Sequence, residues 1–397
     1  MAENKTEIKI HPSITEIPKE KWNALIKPET VPFLDYEWLA ALEQSGSIAP
    51  ETGWYPFHFC LWKNSRLLAA APFYLKTSSG GEYVFDYFWA EAAYSLGKEW
   101  YPKMVGTLAA TPAEGYCFLC SPEMQADEAT ALILKAAENF CRQNGIVSLN
   151  LLFADPLWAG PLPGSGYTAW EHSHFLWENP GYKDFNDSLS IFSKNQRKNI
   201  RKEWQRHEEQ EITIKIIPGD NAGEDYFKRM FELYTITNDK FIPWDARWVN
   251  KEFFLELYKN YRPGVAFVEA RLSLRGGQEE GETIAMAFLV RKNRRIWGRF
   301  WGAYDDIKDL HFAVCYYAPM DWAIKEGIAY FDPGAGSSHK IRRGFKSVKN
   351  TSWHKFFDPV LEKLFKSNIA NVNLFEEENR NALNAGLPFK KNIPPVK

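Results

Sequence analysis

The segment Asp332–Lys346 joins a glycine-rich start to a basic end and is the part of the sequence best suited to chemistry. Gly334 and Gly336 would let backbone N–H groups approach an anion, and the cations that follow would add charge-assisted hydrogen bonds. The segment follows a predicted strand, and ligand sites in α/β proteins gather at strand ends. It lacks the Gly-x-x-x-x-Gly-Lys-Ser/Thr spacing of a nucleotide phosphate loop. The residues therefore predict either an anion-binding loop or an ordinary glycine-rich loop before a basic strand.

A second basic segment, Asp184–Gln210, is predicted to form an amphipathic helix. Its apolar positions share one face: Leu189, Phe192, Ile200 and Trp204. Its cations occupy the rest of the surface: Lys194, Arg197, Lys198, Arg201, Lys202 and Arg206. Glu203 is the one anion among them before residue 208, whereas solvated helix faces normally mix both signs. The segment is thus predicted either to bind a phosphate-bearing ligand or to present a solvated face.

Carboxylates occur among large aromatic residues in a third segment, Gly81–Tyr94. Six rings surround Glu82, Asp86 and Glu91 in the sequence. Carboxylates in such surroundings either become neutral or meet a cation, and an amine substrate would supply that cation. The alternative is an aromatic core with the carboxylates turned toward solvent.

Other motifs exclude several kinds of chemistry. Cys117 and Cys120 form a Cys-x-x-Cys pair without a second pair, and in a strand their thiols would point to opposite faces. His172 and His174 could share a strand face but have no evident third ligand nearby. Gly164-Ser165-Gly166 lacks the spacing of a nucleophile elbow, so a serine hydrolase is not supported. No metal site is predicted.

Length and composition indicate a soluble globular protein with room for two domains. The 397 residues carry 48 basic and 50 acidic side chains, so any polyanion would have to meet a local basic patch. No apolar run approaches the roughly 18 residues that span a bilayer, and Met1–Pro12 does not resemble a signal peptide. Five irregularly spaced cysteines do not suggest a disulfide framework. We expect a cytoplasmic protein without membrane association.

The same order of elements is predicted twice along the chain. In the first half, the strands Phe57–Lys63 and Leu67–Lys76 precede a helix over 123–142 and a strand over Ile146–Phe153. In the second half, three predicted strands precede a helix and a strand: Val265–Leu272, Thr283–Arg291, Arg295–Trp301, the helix His311–Glu326 and Ile328–Asp332. Two copies of one mixed α/β unit fit this order and the length.

Several segments together resemble the FemAB-like predicted N-acyltransferases, also described as peptidoglycan biosynthesis/recognition proteins. They follow the family's order: Pro32–Ser47, Thr52–His58, Gly81–Ala93, Tyr101–Val105, Trp177–Ile200, Gly298–Gly302, Leu310–Tyr317 and Phe331–Phe345. The resemblance implies a mixed α/β fold of two tandem GNAT-like units, each a mixed sheet flanked by helices. We place the first unit at 1–180 and the second at 181–355, opened by a basic helix over 185–209. Residues 356–397 form a C-terminal segment that, by the same resemblance, packs back on the first unit.

The resemblance also implies roles for particular residues. Lys340 and Arg343 would hold the phosphates of the acyl donor or a developing oxyanion, and Arg299 would project from the adjoining strand. His311 or His339 would accept the proton of the amine, because a neutral imidazole is a suitable base. Substrate contacts are expected from Glu82, Asp86, Trp89, Tyr101, Lys103, Tyr316, Arg197 and Arg201.

The sequence departs from the family pattern at four positions. Carboxylates are common in the family at positions 313 and 338, where this chain has Ala313 and Ser338. A glutamine is common where Ala318 lies, and a histidine where Leu176 lies. Acyl transfer can proceed largely by positioning and oxyanion stabilisation, so these losses do not exclude activity.

Two functions are therefore predicted from the sequence. The first is transfer of an acyl or aminoacyl group, from acyl-CoA or aminoacyl-tRNA and without a metal, to an amine on a small molecule or a cell-wall peptide precursor. The second is a non-catalytic recognition module that binds such a peptide or another amine in an aromatic cleft. A tRNA partner would use the basic patches.

Overall fold

A computed structural model of the chain describes residues 6–242, 247–273, 280–336 and 338–390. They form two compact units. The first holds the chain up to Ser173 together with Lys349–Glu378, and the second holds His174–Val348 together with the residues from Asn379 on. The chain therefore leaves the first unit near residue 173 and returns to it at residue 349. Residues 1–5 and 391–397, which belong to the predicted first unit and C-terminal segment, lie outside the described residues.

The first unit is built from short strands and helices. Its strands are β1 (Thr6–His11), β2 (Trp54–Pro56), β3 (His58–Lys63), β4 (Arg66–Ala71), β5 (Phe73–Lys76), β6 (Lys103–Gly106), β7 (Leu119–Cys120) and β8 (Ser148–Leu151). Its helices are α1 (Lys19–Asn23), α2 (Tyr36–Gln44), α3 (Tyr87–Ser95) and α4 (Ala126–Gln143). Three elements have residues in both units: β9 (Thr168–Glu178), β15 (Lys346–Phe356) and α11 (Pro359–Ala385).

Pro72 divides what the sequence predicts as one strand, Leu67–Lys76, into two. The strand β4 belongs to a sheet of order β1-β3-β4-β7, whereas β5 belongs to the order β8-β6-β5-β2. Proline has no N–H to give to a ladder, so the chain changes sheets there. The predicted hairpin is present between β3 and β4, where Asn64 and Ser65 adopt φ of 47° and 65°. Positive φ at both turn positions matches the twist of the paired strands.

The second unit contains strands β10 (Ile212–Pro218), β11 (Val265–Ser273), β12 (Glu280–Lys292), β13 (Arg295–Ala303) and β14 (Tyr330–Asp332). Its helices are α5 (Phe185–Ser188), α6 (Lys194–Glu209), α7 (Glu224–Asp239), α8 (Lys251–Asn260), α9 (Leu310–Phe312) and α10 (Ala318–Lys325). The strand order is β10-β11-β12-β13-β14-β9. A π turn, Ala313–Tyr317, lies between α9 and α10, within the predicted helix His311–Glu326.

The repeat expected from the sequence is visible as one connection made in both units. The strands β6 and β8 are parallel neighbours, and α4 lies between them in the chain. The strands β13 and β14 are likewise parallel, with α9 and α10 between them. Parallel neighbours require such a crossover, and a helix commonly supplies it. Each unit therefore pairs a mixed sheet with a crossover helix, as predicted.

The structure corrects the helix predicted over 185–209. The helix α5 ends at Ser188, a 3-10 turn follows over Leu189–Ile191, and the chain is extended at Phe192 and Ser193 before α6 begins. The Ser193 side chain accepts a hydrogen bond from the Gln196 N–H and so caps α6. Serine at this position offers an acceptor to an N–H that has no helical partner, which favours a helix start there. None of the helices in the described ranges has the length and apolar content needed to cross a bilayer.

Candidate functional site

The helix α6 presents cations to solvent. Four of its basic side chains are exposed and one is half-buried: Lys194, Lys198, Arg201 and Lys202, and Arg197. None of these five forms an ion pair within the described part of the chain. Arg206 differs, because its Nε lies 3.0 Å from Asp309 Oδ2. The exposed face of α6 therefore carries uncompensated positive charge, which suits a phosphate-bearing ligand.

The glycine-rich loop after β14 folds around the ammonium group of Lys340. Lys340 Nζ donates to the carbonyl oxygens of Gly334, at 2.7 Å, and Ala335, at 2.8 Å. Gly334 adopts φ of 76°, and a Cβ there would lie 2.7 Å from the carbonyl oxygen of Gly298, so glycine is required. Ser337, part of the predicted anion-binding loop, lies outside the described residues. Two of the three N–H groups of the Lys340 ammonium therefore donate to loop carbonyls and stabilise the loop conformation.

Burial changes the acid–base behaviour of Lys340. Its side chain is 1% exposed. Burial lowers its pKa to about 8, and Asp332 opposes that change. Asp332 also accepts the Gly334 N–H at 2.7 Å and lies 3.0 Å from His174 Nε2. The ammonium group of Lys340 therefore remains close to its deprotonation range, which is unusual for a lysine.

Arg343 is a buried cation with several partners. It lies in the 3-10 helix Ser338–Arg343. Its Nη1 donates to the His339 carbonyl at 3.0 Å, and its Nη2 donates to Glu203 Oε2 at 2.8 Å. The guanidinium carbon lies 3.3 Å from the centre of the Phe312 ring. Of its five N–H groups, the one on Nε is buried and has no hydrogen-bond partner within the described residues.

His311 and His339 lie together beside Arg343. Their ring centres are 5.9 Å apart. The hydroxyl of Tyr316, in the π turn, lies 2.9 Å from His339 Nε2. Burial first, and then the positive charges of Arg343 and Lys340, lower the pKa of each histidine to about 4, with His339 adding to the effect on His311. Both imidazoles are therefore uncharged at neutral pH and can accept a proton.

The structure brings together five of the predicted site residues in the second unit, and three others lie on β13 and α6 of the same unit. The site consists of His311, Tyr316, His339, Lys340 and Arg343, which we call the imidazole cluster. Arg299 lies on β13 and is half-buried, with its guanidinium carbon 5.6 Å from the centre of the Phe300 ring. Arg197 and Arg201 lie on α6.

The remaining predicted residues form a separate site in the first unit. Lys103 Nζ donates to Glu82 Oε2 at 2.7 Å and to Asp86 Oδ2 at 2.6 Å. Asp86 also accepts hydrogen bonds from Trp100 Nε1 at 2.7 Å and from the Tyr101 hydroxyl at 2.8 Å. Glu82, Asp86 and Lys103 are at most 3% exposed, so these two carboxylates are not turned toward solvent, whereas Glu91 is exposed. The cation that these carboxylates meet is an internal lysine.

The two carboxylates differ in their acid–base behaviour. Burial raises the pKa of Glu82 to about 7, although Lys103 opposes that change. Burial would also raise the pKa of Asp86, but Lys103 and the hydrogen bonds from Trp100 and Tyr101 bring it below the usual range. Lys103 already binds both carboxylates, in the place where an amine substrate was expected. The expected contribution of these residues to substrate binding thus stays a prediction, as it does for Trp89, which packs against the Phe365 ring 4.8 Å away.

Sequence reasoning missed several residues of these sites. Glu203 and Tyr317 bind each other at the imidazole cluster, and Tyr317 donates to the carboxylate. In the sequence Glu203 is the one anion among the six cations from Lys194 to Arg206, and this pattern could have indicated that its side chain faces inward. The π turn that carries both tyrosines had no signal in the helical spacing. No group of three or more His, Cys, Asp and Glu side chains is arranged to hold a metal ion in the ranges described.

Comparison with solved structures places the fold. FemX is similar with a TM-score of 0.54 and 11% identity, over 91% of this chain and 100% of that one. The C-terminal domain of a protein described as a lysylphosphatidylglycerol synthetase, from Agrobacterium fabrum, is similar with a TM-score of 0.51 and 10% identity, over 96% of this chain and all of that one. A tandem GNAT protein of the clavulanic acid biosynthesis pathway matches with a TM-score of 0.46 and 9% identity, over 89% and 99%. The first two similarities show the fold, and the predicted mixed α/β class is confirmed.

Comparison by sequence identifies the family. No curated protein matches the sequence closely enough to be called a relative. The profile of the FemAB-like family, described as peptidoglycan biosynthesis/recognition, matches residues 13–391. That range is nearly the whole chain and includes every residue of the imidazole cluster, and it confirms the resemblance seen in the sequence. The chain therefore belongs to the FemAB-like family.

Proposed function

We propose that the protein is an N-acyltransferase that moves an acyl or aminoacyl group from an activated donor to an amine. The observation that carries this proposal is the imidazole cluster, where two uncharged histidines lie beside two buried cations. Acyl transfer needs a group that accepts the proton of the amine and groups that stabilise negative charge on the carbonyl oxygen. The cluster supplies both kinds of group.

In the proposed reaction the amine nitrogen attacks the carbonyl carbon of the donor. A C–N bond forms, and the C–S bond of a thioester or the C–O bond of an ester breaks. The proton of the amine passes to His311, whose ring makes no hydrogen bond within the described residues. The leaving group departs as a thiolate or alkoxide and takes up a proton. The unpartnered Nε–H of Arg343, with Lys340 nearby, would stabilise the oxyanion between these steps.

The donor in this proposal carries phosphates. Acyl-CoA and aminoacyl-tRNA both do, and the five unpaired cations of α6 would bind either. The family's description supports an amine of a cell-wall peptide precursor as the acceptor. We place the reaction in the cytoplasm, which agrees with free thiols at the cysteines.

The test is mass spectrometry of the products after the protein has been incubated with mixed acyl-CoAs, charged tRNAs and amine-bearing peptides. A new amide on an acceptor supports the proposal. The substitution Lys340→Ala should abolish it, and Lys325→Ala, at an exposed lysine on α10, should not. Salt-sensitive binding of charged tRNA would identify the tRNA donor, whereas protection against heat by acyl-CoA without tRNA binding would identify the CoA donor.

A second candidate function, a non-catalytic recognition module, is favoured by specific contacts. Lys340 and Arg343 already have internal partners, and a histidine with a pKa of about 4 is a weak base. The aliphatic side chains of Ala313 and Ala318 also stand where the family commonly has polar groups. Binding of an amine-bearing peptide that is unchanged by Lys340→Ala, with no product from any donor, would favour this function.

A further inference from the structure

We propose that Glu203 is a positioning residue of the imidazole cluster: through Arg343 it fixes the chain at His339. This inference rests on the proposed function, since it concerns the same site. Glu203 Oε2 accepts from Arg343 Nη2 at 2.8 Å, and the other terminal nitrogen of Arg343 donates to the His339 carbonyl at 3.0 Å. One carboxylate oxygen is thus joined to the backbone of a cluster histidine by a single rigid guanidinium group.

Glu203 holds both sides of the cluster. The hydroxyl of Tyr317 donates to the same carboxylate oxygen that binds Arg343. Tyr317 is the last residue of the π turn, and its neighbour Tyr316 is hydrogen-bonded to His339. One partner of Glu203, Arg343, therefore binds the backbone of His339 directly. The ring of His339 is bound by Tyr316, the chain neighbour of the other partner, Tyr317. Such π turns often occur at functional sites.

The ion pair between Glu203 and Arg343 differs from the pair within α6 that the helix sequence would favour. Arg206 lies one turn beyond Glu203 and could have been its ion-pair partner on α6. Instead Arg206 pairs with Asp309, the residue before α9, while Glu203 turns inward. Gln196, two turns before Glu203, donates to the Arg342 carbonyl at 2.7 Å. Three inward side chains thus fasten α6 to the elements that carry His311 and His339.

The burial of the Arg343 cation also supports a positioning role for Glu203. The Arg343 side chain is 4% exposed, and its guanidinium group lies over the Phe312 ring. A buried cation without an anion is costly, and its side chain would turn toward water if it could. Glu203 removes that tendency and holds the guanidinium over the ring. Because a displacement of about 1 Å can lower a rate about 100-fold, the expected cost of losing Glu203 falls on the reaction rate.

The test compares Glu203→Ala, Glu203→Gln and the control Glu208→Ala, which removes an exposed carboxylate from the same helix. We expect E203A to lower kcat about 100-fold with KM for the donor within threefold. E203Q should recover at least tenfold of that loss, because its amide oxygen can still accept from Arg343 and Tyr317. E208A should match the wild type. Unchanged kcat in E203A, or a loss confined to KM, would overturn the inference.

A second measurement separates this inference from the proposed function. In NMR spectra the ring C–H signals of His339 should shift or broaden in E203A, while those of His11, on β1 of the first unit, stay in place. If the wild type forms no product with any donor but these signals change, the positioning inference stands and the proposed function fails. If product forms and neither kcat nor the His339 signals change, the inference fails alone. Should E203A not fold, Glu203→Asp, which withdraws the carboxylate by one methylene, should lower kcat about tenfold.

Discussion

Lys76 and Lys103 are register partners on the antiparallel strands β5 and β6, and both side chains are buried. Like charges opposite one another destabilise a sheet unless each has its own partner. Lys103 binds the carboxylates of Glu82 and Asp86. Lys76 lies 3.5 Å from the centre of the Trp54 ring and donates to the Gly80 carbonyl at 2.9 Å. The strands therefore accommodate two buried lysines through different kinds of partner, and the two lysines should respond differently to substitution.

Replacing Lys103 by methionine should strongly destabilise the protein. The substitution leaves Glu82 and Asp86 buried without their cation, and breaking a buried pair in this way costs about 3–5 kcal/mol. The free energy of unfolding in urea measures the loss. Lys135→Met, at an exposed lysine of α4, is the control and should change it by less than about 0.5 kcal/mol. A loss below about 1 kcal/mol for Lys103→Met would mean that the carboxylates find other partners.

Replacing Lys76 by methionine should change how stability depends on pH. Burial lowers the pKa of Lys76 to about 7 from an ordinary 10.5. Between these values the unfolded chain holds a proton that the folded chain has released, so stability from this group rises with pH. The free energy of unfolding should therefore rise less between pH 7 and 9.5 in Lys76→Met than in the wild type. Lys135→Met should follow the wild type, and parallel curves for Lys76→Met would contradict the lowered pKa.

The cations of α6 should set the salt dependence of polyanion binding. Each cation that neutralises a phosphate adds about one to the slope of log affinity against log salt concentration. The double substitution Arg197→Ala/Arg201→Ala should therefore reduce that slope by about two for transfer RNA, measured by filter binding. The control Lys135→Ala/Lys363→Ala removes two exposed lysines from the first unit. Equal slopes for both variants would show that α6 does not bind the RNA.

Local patterns in the sequence predicted the elements that short-range rules govern. The hairpin at Asn64-Ser65 and the crossover helices followed from turn residues and helical spacing. The break at Phe192-Ser193 did not, because Phe192 continues the apolar stripe and Ser193 is compatible with a helix interior. The break is favoured because Ser193 can cap the start of α6. One continuous helix over 185–209 would lose that cap.

The sites were predicted only in part, because their partners come from distant parts of the chain. The spacing of Glu82 and Asp86 showed carboxylates that need a cation, but Lys103 lies on another element. Glu203 and Arg343 are 140 residues apart and meet only in the folded unit. The π turn shifts Tyr316 and Tyr317 by one position relative to an α-helix, so ordinary periodicity cannot place them.

His311 should matter more to turnover than His339, if the proposed function holds. The ring of His339 shares a hydrogen bond with Tyr316, whereas the ring of His311 has none among the residues described. His311 can therefore take a proton without breaking a hydrogen bond of its ring, whereas a proton placed on Nε2 of His339 has to compete with the hydrogen bond to Tyr316. His311→Gln should therefore lower kcat about 100-fold or more, the usual contribution of a general base, and His339→Gln should lower it less. The same substitution at His207, near the end of α6, is the control and should leave kcat unchanged.

The pH dependence of kcat/KM and of stability distinguishes the loss of His311 as a base from a structural change in the site. Since burial and the neighbouring cations lower the pKa of His311 to about 4, wild-type kcat/KM should stay level from pH 7 to about 5 and fall as the pH approaches 4. Stability should fall as the pH drops from about 6.5 to about 4, because over this range the unfolded chain binds a proton at His311 and the folded chain does not. His311→Gln should remove part of this acid loss of stability while it lowers kcat. Two results would contradict this assignment: an unchanged acid loss of stability in His311→Gln, or a wild-type kcat/KM that already falls near pH 6.5. Either would show that the surroundings do not hold His311 neutral, and the proton transfer would then belong to another group.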